Sequence, residues 1–230
     1  MSDAYRPMMS PAEARKRIAW QQGVYRWHLK NNKPITMDYL GHRIVVSPHV
    51  LAPVPFEFNL LSQAVLDEVK SSDSVLDLGT GSGVQAIMAA TRAKRVLAVD
   101  VNPQAVRCAG DNFRRNRLQG RIRVLRSDLF QHAKARYSLI LFDPPFRWTV
   151  PRDAWELSTA DPGYHTLRAF FRECRAHLTS GGRVLLHFGT SADLAYLKHL
   201  IRTNGFRRRQ IRKFQQKNGW LYFVFRLTVA

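Results

Sequence analysis

Short apolar runs alternate with segments of helical periodicity along most of the chain after residue 60. The apolar runs are bounded by turn-forming residues and predict strands over residues 74–78, 95–99, 122–126, 138–142 and 183–188. The segments between them predict helices over residues 84–91, 103–116, 165–178 and 192–203. Strands that are apolar throughout and that alternate with helices indicate a parallel sheet covered by helices on both faces.

The end of the chain follows a different pattern. Residues 206–214 and 220–229 predict two strands joined around Asn218-Gly219, a dipeptide typical of hairpin turns. The sequence therefore predicts an α/β fold in which a mostly parallel sheet ends in an antiparallel hairpin.

The first 50 residues predict a helix followed by a small hairpin. Ser10-Pro11-Ala12-Glu13 is a helix start, because Ser caps the first turn and Glu three residues later can reach back to it. The helix runs to about residue 29, since Pro34 cannot continue it. It is interpreted as amphipathic and basic, with the apolar and basic side chains Ile18, Trp20, Val24, Tyr25, Leu29, Arg15, Lys16, Arg17 and Arg26.

The predicted hairpin consists of residues 35–39 and 42–46 on either side of Leu40-Gly41. We therefore expect two parts: an extension over residues 1–50, acting in substrate recognition or as a lid, and a main domain over residues 51–230.

Composition narrows the class of protein. The 230 residues carry 36 Lys and Arg against 17 Asp and Glu, a formal net charge of +19, and 45% are hydrophobic, which excludes a disordered basic tail. Two cysteines without a CxxC motif, and eight histidines without ligand spacing, predict neither a disulfide framework nor a metal site. The first residues are not followed by the apolar run typical of a signal peptide, so we expect none, and no apolar run in the sequence is long enough to span a bilayer. We expect a soluble cytoplasmic protein with no membrane association.

The strongest chemical signal is a glycine-rich segment after the first predicted strand of the main domain. Asp77-Leu78-Gly79-Thr80-Gly81-Ser82-Gly83 predicts a turn between a strand and a helix, where the backbone can approach a ligand and the helix start offers amide donors. The spacing is GxGxG rather than the GxGxxG of dinucleotide folds. The acid two residues before the first glycine favours a cationic or amino-bearing ligand over a phosphate.

Acids follow each of the next strands. Asp100 ends its strand 21 residues after Gly79, the distance at which an acid in such folds accepts ribose hydroxyls. Asp128 and Asp143 follow the third and fourth strands. Because open α/β sheets bind ligands at the carboxyl ends of their strands, these acids together with Asp77 predict one site.

Asp143-Pro144-Pro145-Phe146 forms the second motif. Two consecutive prolines make a stiff turn that can hold the Asp143 carboxylate and the Pro144 carbonyl as two acceptors beside an aromatic ring. A planar amino group needs two such acceptors on its hydrogens, and Phe146 would stack on the planar target.

These two motifs resemble those of the class I S-adenosylmethionine-dependent methyltransferases, and within them the nitrogen-directed small-domain family. Its members modify release-factor glutamine, guanine or adenine amino groups of RNA, or adenine in DNA. The resemblance covers residues 50–230 and implies a seven-stranded Rossmann-like sheet.

The branches of that family differ at the second motif. Residues 47–55 resemble the lead-in of the glutamine-modifying branch. That branch normally has Asn and Tyr where this chain has Asp143 and Phe146, and an acidic-threonine pair where this chain has Phe56-Glu57-Phe58-Asn59. Asp143 to Arg147 is closer to the ribosomal RNA enzymes that modify guanine amino groups.

The resemblance implies a role for each motif residue. Asp143 would orient the target nitrogen and take its proton, within the catalytic group Asp143, Pro144, Pro145 and Phe146, with Trp148 as a further stacking residue. The cofactor would be S-adenosylmethionine, with Asp77 near its amino acid end, Asp100 on the ribose and Asp128 near the adenine. The expected cofactor contacts are Asp77, Gly79, Thr80, Gly81, Gly83, Asp100, Val101, Asn102, Ser127, Asp128 and Leu129.

The distribution of charge favours RNA as the acceptor. Residues 194–230 carry nine bases and no acid, and a second cluster of arginines spans residues 107–126. Bases interleaved with aromatic residues suit phosphate contact and base stacking. Three alternatives stay open: a small-molecule methyltransferase whose N-terminal extension is a lid, a protein glutamine methyltransferase, and a non-enzymatic RNA-binding protein. The oligomeric state is not predicted.

Overall fold

The computed structural model describes residues 5–31, 33–53 and 59–230. Its centre is a seven-stranded sheet in the order β5-β4-β3-β6-β7-β9-β8, and β1 pairs with β2 in a separate hairpin. Strands β3 to β7 are parallel, whereas β9 is antiparallel to both β7 and β8. The strands are β1 Ile35–Tyr39, β2 His42–Val46, β3 Ser74–Leu78, β4 Arg95–Asp100, β5 Ile122–Arg126, β6 Tyr137–Phe142, β7 Leu178–Gly189, β8 Phe206–Gln215 and β9 Leu221–Val229.

Seven α-helices are described, with short 3₁₀ turns at Pro162–Tyr164 and Arg175–His177. They are α1 Pro11–Asn31, α2 Leu60–Glu68, α3 Val84–Ala90, α4 Pro103–Arg115, α5 Ala154–Leu157, α6 His165–Cys174 and α7 Leu194–Thr203. The predicted α/β class, the parallel sheet and the C-terminal hairpin are confirmed. Both α2 and α5 lie outside the helices predicted from periodicity. No helix in these described segments is long and apolar enough to span a membrane.

The sheet buries a hydrophobic core on each face. One core joins the sheet to α2, α3 and α4 and also takes in the hairpin through Tyr39, Ile44 and Val46. The other joins the sheet to α6 and α7 through Phe170, Phe171 and Leu197, among others. The β1–β2 hairpin is therefore packed as part of the main core, although it was predicted as part of an extension.

Helix α1 begins as predicted, because Ser10 and Glu13 exchange hydrogen bonds through Ser10 Oγ and Glu13 Oε2. Its buried face differs from the apolar one that was predicted. Gln21, Tyr25 and His28 are buried, whereas Leu29 is 56% exposed. Polar and aromatic contacts decide this, as described for the site below.

Asp193 ties the N-terminal segment to the sheet. Its Oδ2 accepts hydrogen bonds from the Tyr5 hydroxyl at 2.9 Å and from the Met8 backbone N–H at 2.7 Å. Its Oδ1 accepts from the Tyr196 backbone N–H at 3.0 Å and so caps α7. The side chain is 1% exposed, so one buried carboxylate holds both the entry to α1 and the start of α7.

Replacing Asp193 by Ala should destabilise the protein and release the segment before α1. Loss of the cap costs about 1 kcal/mol, and buried donors left unpaired cost about 1–3 kcal/mol more. Urea unfolding should show a total loss of about 3 kcal/mol, and limited proteolysis should cut before residue 11. Asp193→Asn, which keeps an acceptor, should lose less; equal stability of Asp193→Ala and wild type would contradict this role.

Candidate active site

The glycine-rich turn connects β3 to α3 and is held by its own backbone. The N–H groups of Gly79 and Thr80 both donate to the Val99 carbonyl, at 2.9 and 3.0 Å, and that of Gly83 donates to the Thr80 carbonyl at 2.8 Å. These amides are therefore not presented to an anion, in contrast to the donors expected at the helix start. The finding agrees with the interpretation that the turn does not bind a pyrophosphate.

Asp77 is an acid buried beneath this turn, with 2% of its surface exposed. Thr80 Oγ1 donates to its Oδ2 at 2.6 Å, which explains the place of Thr80 in the motif. Burial, opposed by this hydrogen bond and by the Ala86 N–H and reinforced by the charges of Asp100 and Asp143, raises the pKa of Asp77 to about 7. Within the described part of the chain no basic side chain forms an ion pair with it.

Asp100 at the end of β4 fastens the turn to the neighbouring strand. Its Oδ2 accepts from the Gly81 N–H at 2.9 Å and its Oδ1 from the Asn102 N–H at 2.8 Å. Burial raises the pKa of Asp100, and these two N–H groups oppose that rise. Each oxygen keeps a second lone pair, so the carboxylate can still accept hydroxyl groups from a ligand.

The neighbouring predicted contacts have mixed surroundings. Val101 is 45% exposed beside Asp100 and offers an apolar surface. Asn102 caps α4 by accepting from the Gln104 N–H at 2.9 Å, and its amide donates to the His49 carbonyl at 3.3 Å. It thereby connects the lead-in predicted over residues 47–55 to the cofactor turn, although residues 54–58 lie outside the described chain.

The segment after β5 holds three of the predicted cofactor contacts, Ser127, Asp128 and Leu129. Ser127 is buried, with its hydroxyl donating to the Leu129 carbonyl and accepting from the His132 N–H, both at 3.0 Å. Asp128 is exposed and is not among the acids that raise the pKa of Asp77. Three of the four predicted acids, Asp77, Asp100 and Asp143, are thus coupled electrostatically.

Asp143 follows β6 and contacts a histidine from the adjacent strand β7. The His187 Nδ1 lies 2.9 Å from Asp143 Oδ1, and the histidine side chain is buried while 44% of the aspartate side chain is exposed. Within the described residues Oδ2 has no hydrogen-bond partner, so one oxygen is held by the protein and the other faces outward. The sheet order places β6 beside β7, which is why residues 44 positions apart meet here.

Phe146 lies between the two cores and against His187, with ring centroids 5.4 Å apart. Its ring also lies 6.3 Å from that of Tyr222 on β9. Pro144 is buried and Pro145 is partly exposed, which fixes the turn between Asp143 and Phe146. Trp148 instead packs 6.2 Å from each of Tyr5 and Tyr164, so it belongs to an aromatic cluster beside the site.

Helix α1 covers this edge of the sheet. Arg17 Nε donates to the Thr190 carbonyl at 2.8 Å, and the Gln21 amide donates to the Ser191 carbonyl at 3.2 Å, both just beyond β7. Tyr25 donates its hydroxyl to Asp153 Oδ2 at 2.5 Å. His28 stacks on Trp155 with ring centroids 3.8 Å apart. The helix therefore covers the region that follows β6 and β7.

Three buried polar atoms in the region covered by α1 have no hydrogen-bond partner among the described residues: Gln21 Oε1, Arg147 Nη1 and His187 Nε2. Tyr222 lies between two of them: its hydroxyl donates at 3.4 Å to Oγ of Ser191, the residue that Gln21 contacts, and its ring is 5.9 Å from that of His187. Burial, partly offset by Glu156, lowers the pKa of Arg147 to about 10. Buried polar groups are normally paired, so their combination indicates a place for a polar ligand.

The site contains residues that fit S-adenosylmethionine. A buried acid with no basic partner is costly unless a cation approaches it, and the cofactor carries both a sulfonium and an ammonium. An ideal Cβ on Gly79 would have no atom within 4 Å, so the space beside the turn is open. Asp77, Asp100, Val101 and the backbone at Gly79 supply a charge acceptor, hydroxyl acceptors, an apolar surface and room.

Sequence reasoning missed His187, Arg147 as a buried cation, and Gln21. His187 did carry a signal, since it is the polar residue within the apolar run from Val184 to Phe188. Gln21 carried none, because a glutamine in a polar helix is ordinarily exposed.

Comparison with known proteins agrees with this geometry. A family model described as the methyltransferase small domain matches residues 58–203. The release factor glutamine methyltransferase of Cereibacter sphaeroides is 32% identical over 170 residues, which are 68% of this chain and 60% of that protein. The ribosomal RNA small subunit methyltransferase C of Haemophilus ducreyi is 29% identical over 152 residues, 63% of this chain and 43% of that protein. The chain thus spans about half the length of these two relatives.

Solved structures show the same fold. The ribosomal protein L11 methylase of Lactobacillus delbrueckii subsp. bulgaricus superimposes with a TM-score of 0.57 at 20% identity, covering 78% of this chain and 82% of that one. At this identity the likeness concerns the fold, and it confirms the predicted Rossmann-like sheet.

Cofactor affinity should depend on pH through Asp77. Its raised pKa of about 7 means that the deprotonated form, which attracts a cation, grows as pH rises through 7. Isothermal titration of S-adenosylmethionine should therefore show tighter binding at pH 8 than at pH 6, by about tenfold at most per pH unit. Asp77→Asn should bind weakly with no such dependence, and Asp111→Asn, at an exposed position on α4, should keep it; a flat wild-type profile would exclude Asp77 as the group responsible.

The stability of the free protein should change in the opposite sense. Between the ordinary aspartate pKa and about 7 the folded state holds a proton on Asp77 that the unfolded state has lost, so the free energy of unfolding falls as pH rises. Asp77→Asn should remove this contribution in urea unfolding measured from pH 5 to 8, and an unchanged slope would contradict the burial argument.

Two glycines of the turn should respond differently to alanine. Gly83 has φ +88°, and a Cβ there would lie 2.6 Å from Phe113 Cε1, so Gly83→Ala should lose about 3 kcal/mol of stability. Gly79 has φ +69° with open space, so Gly79→Ala should lose only about 1 kcal/mol yet weaken cofactor binding. Thermal unfolding and titration of each variant measure both effects; equal stability losses would refute the distinction.

Proposed function

The chain belongs to the methyltransferase small domain family and is an S-adenosylmethionine-dependent methyltransferase of the nitrogen-directed type, and on this basis we propose that its acceptor is a planar amino nitrogen of an RNA base. The observation that carries the proposal is the Asp143 carboxylate, held through Oδ1 by His187 and open through Oδ2, beside Phe146.

The position of Asp143 suits an orienting role. A planar amino nitrogen has a delocalised lone pair, and an acceptor on its N–H group directs that lone pair toward an electrophile. Asp143 Oδ2 is the exposed oxygen of a carboxylate whose other oxygen is fixed, so it can accept this hydrogen bond without reorganisation. After transfer, the same oxygen receives the proton that the nitrogen loses.

The other residues of the site would hold the cofactor and cover the acceptor. S-adenosylmethionine supplies, when bound, an electrophilic methyl group on its sulfonium. Asp77 and Asp100 would hold its charged and hydroxyl groups, while Val101 would contact its flat apolar part. Gly79, Thr80, Gly81 and Gly83 shape the turn; the cofactor contacts of this turn and of Asn102, Ser127, Asp128 and Leu129 stay predictions. Helix α1 covers the acceptor side and keeps water from it.

Three features support RNA. Phe146 lies beside Asp143, where an extruded base can stack on it. Arg147 brings a buried guanidinium whose Nη1 lies 3.7 Å from Glu156 Oε1 but has no hydrogen-bond partner among the described residues, so it can donate to base or phosphate oxygens. The net charge of +19 favours association with polyanions.

Protein glutamine is a second candidate acceptor. It is supported by the similarity to the glutamine methyltransferase of Cereibacter sphaeroides over 68% of the chain. A side-chain amide offers the same planar nitrogen. Gln21 Oε1 and Arg147 Nη1, which have no hydrogen-bond partner among the described residues, could bind its N–H and carbonyl groups. A small-molecule acceptor is the third possibility, because α1 covers the acceptor side of the site and a small molecule could bind beneath it.

We place the reaction in the cytoplasm. Residues 1–50 would recognise or cover the acceptor bound to the domain over residues 51–230. Cys108 and Cys174 are free and buried, which agrees with a reducing compartment.

Radiolabelled cofactor identifies the acceptor class. The protein is incubated with the labelled methyl donor and a cell extract separated into RNA, protein and small-molecule fractions. Label in RNA, removed by ribonuclease, is the expected result, and digestion to nucleosides then gives the modified base. Label in protein alone or in small molecules alone would replace RNA by that class.

Asp143→Ala should abolish methyl transfer while leaving cofactor binding intact, because the variant removes an acceptor for the substrate nitrogen. We expect a loss of rate of about 10²–10⁴-fold. Asp111→Ala, which removes an exposed acid on α4 that is not part of the predicted site, is the matched control and should retain activity. Transfer by Asp143→Ala within a few-fold of wild type would rule out the orienting role.

A further inference from the structure

A second concave surface lies at the opposite edge of the sheet from Asp77 and Asp143. It is a cleft of about 730 Å³ at the amino ends of β3, β4, β5 and β6. Four arginines line it: Arg95, Arg121, Arg123 and Arg136. The strands are five or six residues long, so this cleft lies about 17–20 Å from the carboxyl edge.

The cleft exists because one crossover lacks a helix. Residues 127–136, between β5 and β6, form turns and bends instead of the helix that usually covers a parallel sheet. Leu97 on β4 is therefore partly exposed, and its register partner Arg123 on β5 is exposed. An arginine stands where an α/β fold would ordinarily have an apolar residue against a helix.

The charge in this cleft is not neutralised by the described residues. None of its described lining residues is acidic. None of the four arginines forms an ion pair with an acid of the described chain; Arg121 donates to the Ala93 carbonyl at 3.3 Å. Four guanidinium groups in a concave surface with low-dielectric walls focus a positive potential.

The surroundings indicate a long ligand rather than a single anion. Exposed bases continue the positive surface on the loops that enter β4, β5 and β6: Arg92, Lys94, Arg117 and Lys134. These three loops, residues 91–94, 117–121 and 131–136, contain no acid. Arginine forks suit phosphate oxygens, and the partly exposed apolar side chain of Leu97 suits the flat face of a base.

We infer that this cleft binds the phosphate backbone of RNA, at the edge of the sheet opposite the methyl-transfer site. The inference rests on the proposed function in its choice of RNA as the polyanion, but binding here requires neither the cofactor nor transfer. An RNA held at both edges would pass around the β5 side of the sheet, where Arg126 also lies exposed.

Fluorescence anisotropy with a labelled single-stranded RNA, in the absence of cofactor, tests the cleft. The variant R95Q/R121Q/R123Q/R136Q is compared with R172Q/R202Q/R207Q/R209Q, which removes the same charge from exposed positions on α6, α7 and β8. The cleft variant should bind at least about tenfold more weakly, and the slope of log affinity against log salt should fall by about two to three. Three of the control positions lie in the basic segment over residues 194–230, so the control also tests that segment. If the cleft and not this segment contacts the phosphates, the control should stay within about threefold of wild type.

Equal losses in the two variants, or none in the cleft variant, would overturn the inference. Thermal unfolding and cofactor titration check that both variants are folded, since the cofactor turn is at the other edge. If the fourfold variant does not fold, R123Q is compared with R207Q, and a loss confined to R123Q supports the cleft.

Two competitors distinguish the ligand class. Poly-glutamate that binds wild type as tightly as RNA, and depends on the four arginines, would assign the cleft to an acidic protein instead. If pyrophosphate competes as well as unlabelled RNA at equal phosphate concentration, the cleft is a site for small anions and not for RNA. RNA binding through the cleft without any methylation of RNA would refute the proposed function alone.

Discussion

The burial of the Asp77 carboxylate is the constraint around which the site is arranged. It lies under a turn whose amides are already used, and Thr80 is its side-chain hydrogen-bond donor. Asp100 and Asp143 add like charge from the neighbouring strands. A cation close to this position stabilises the buried carboxylate, so the desolvation cost of Asp77 favours the binding of a sulfonium cofactor.

Charge is separated along the direction of the strands. The carboxyl edge holds Asp77, Asp100 and Asp143, to which we assign the binding of a cationic cofactor and the orientation of a neutral nitrogen. The amino edge holds Arg95 and Arg123 in a cleft that an absent helix leaves open. A formal charge of +19 therefore does not act as a uniform field. The two edges of one sheet can serve methyl transfer and anion binding without competing.

Much of the fold was predictable because its signals are local. The limits of β3 and β5 agree with the apolar runs to the residue, since glycine and polar residues bound them. Helix α5 has only four residues, too few to show a period. The prediction for the buried face of α1 missed Gln21 and His28. Both are buried by contacts with residues more than 120 positions away, which no local pattern encodes.

The sequence by itself determined the parallel sheet and the acids at its carboxyl edge, because strand periodicity is local and parallel strands all end on one side. Only the tertiary structure decided which groups work together. Setting β6 beside β7 pairs Asp143 with His187, and packing α1 over the edge brings Gln21 to Ser191. Strand order and helix docking depend on long-range packing, which leaves no periodic mark on the chain.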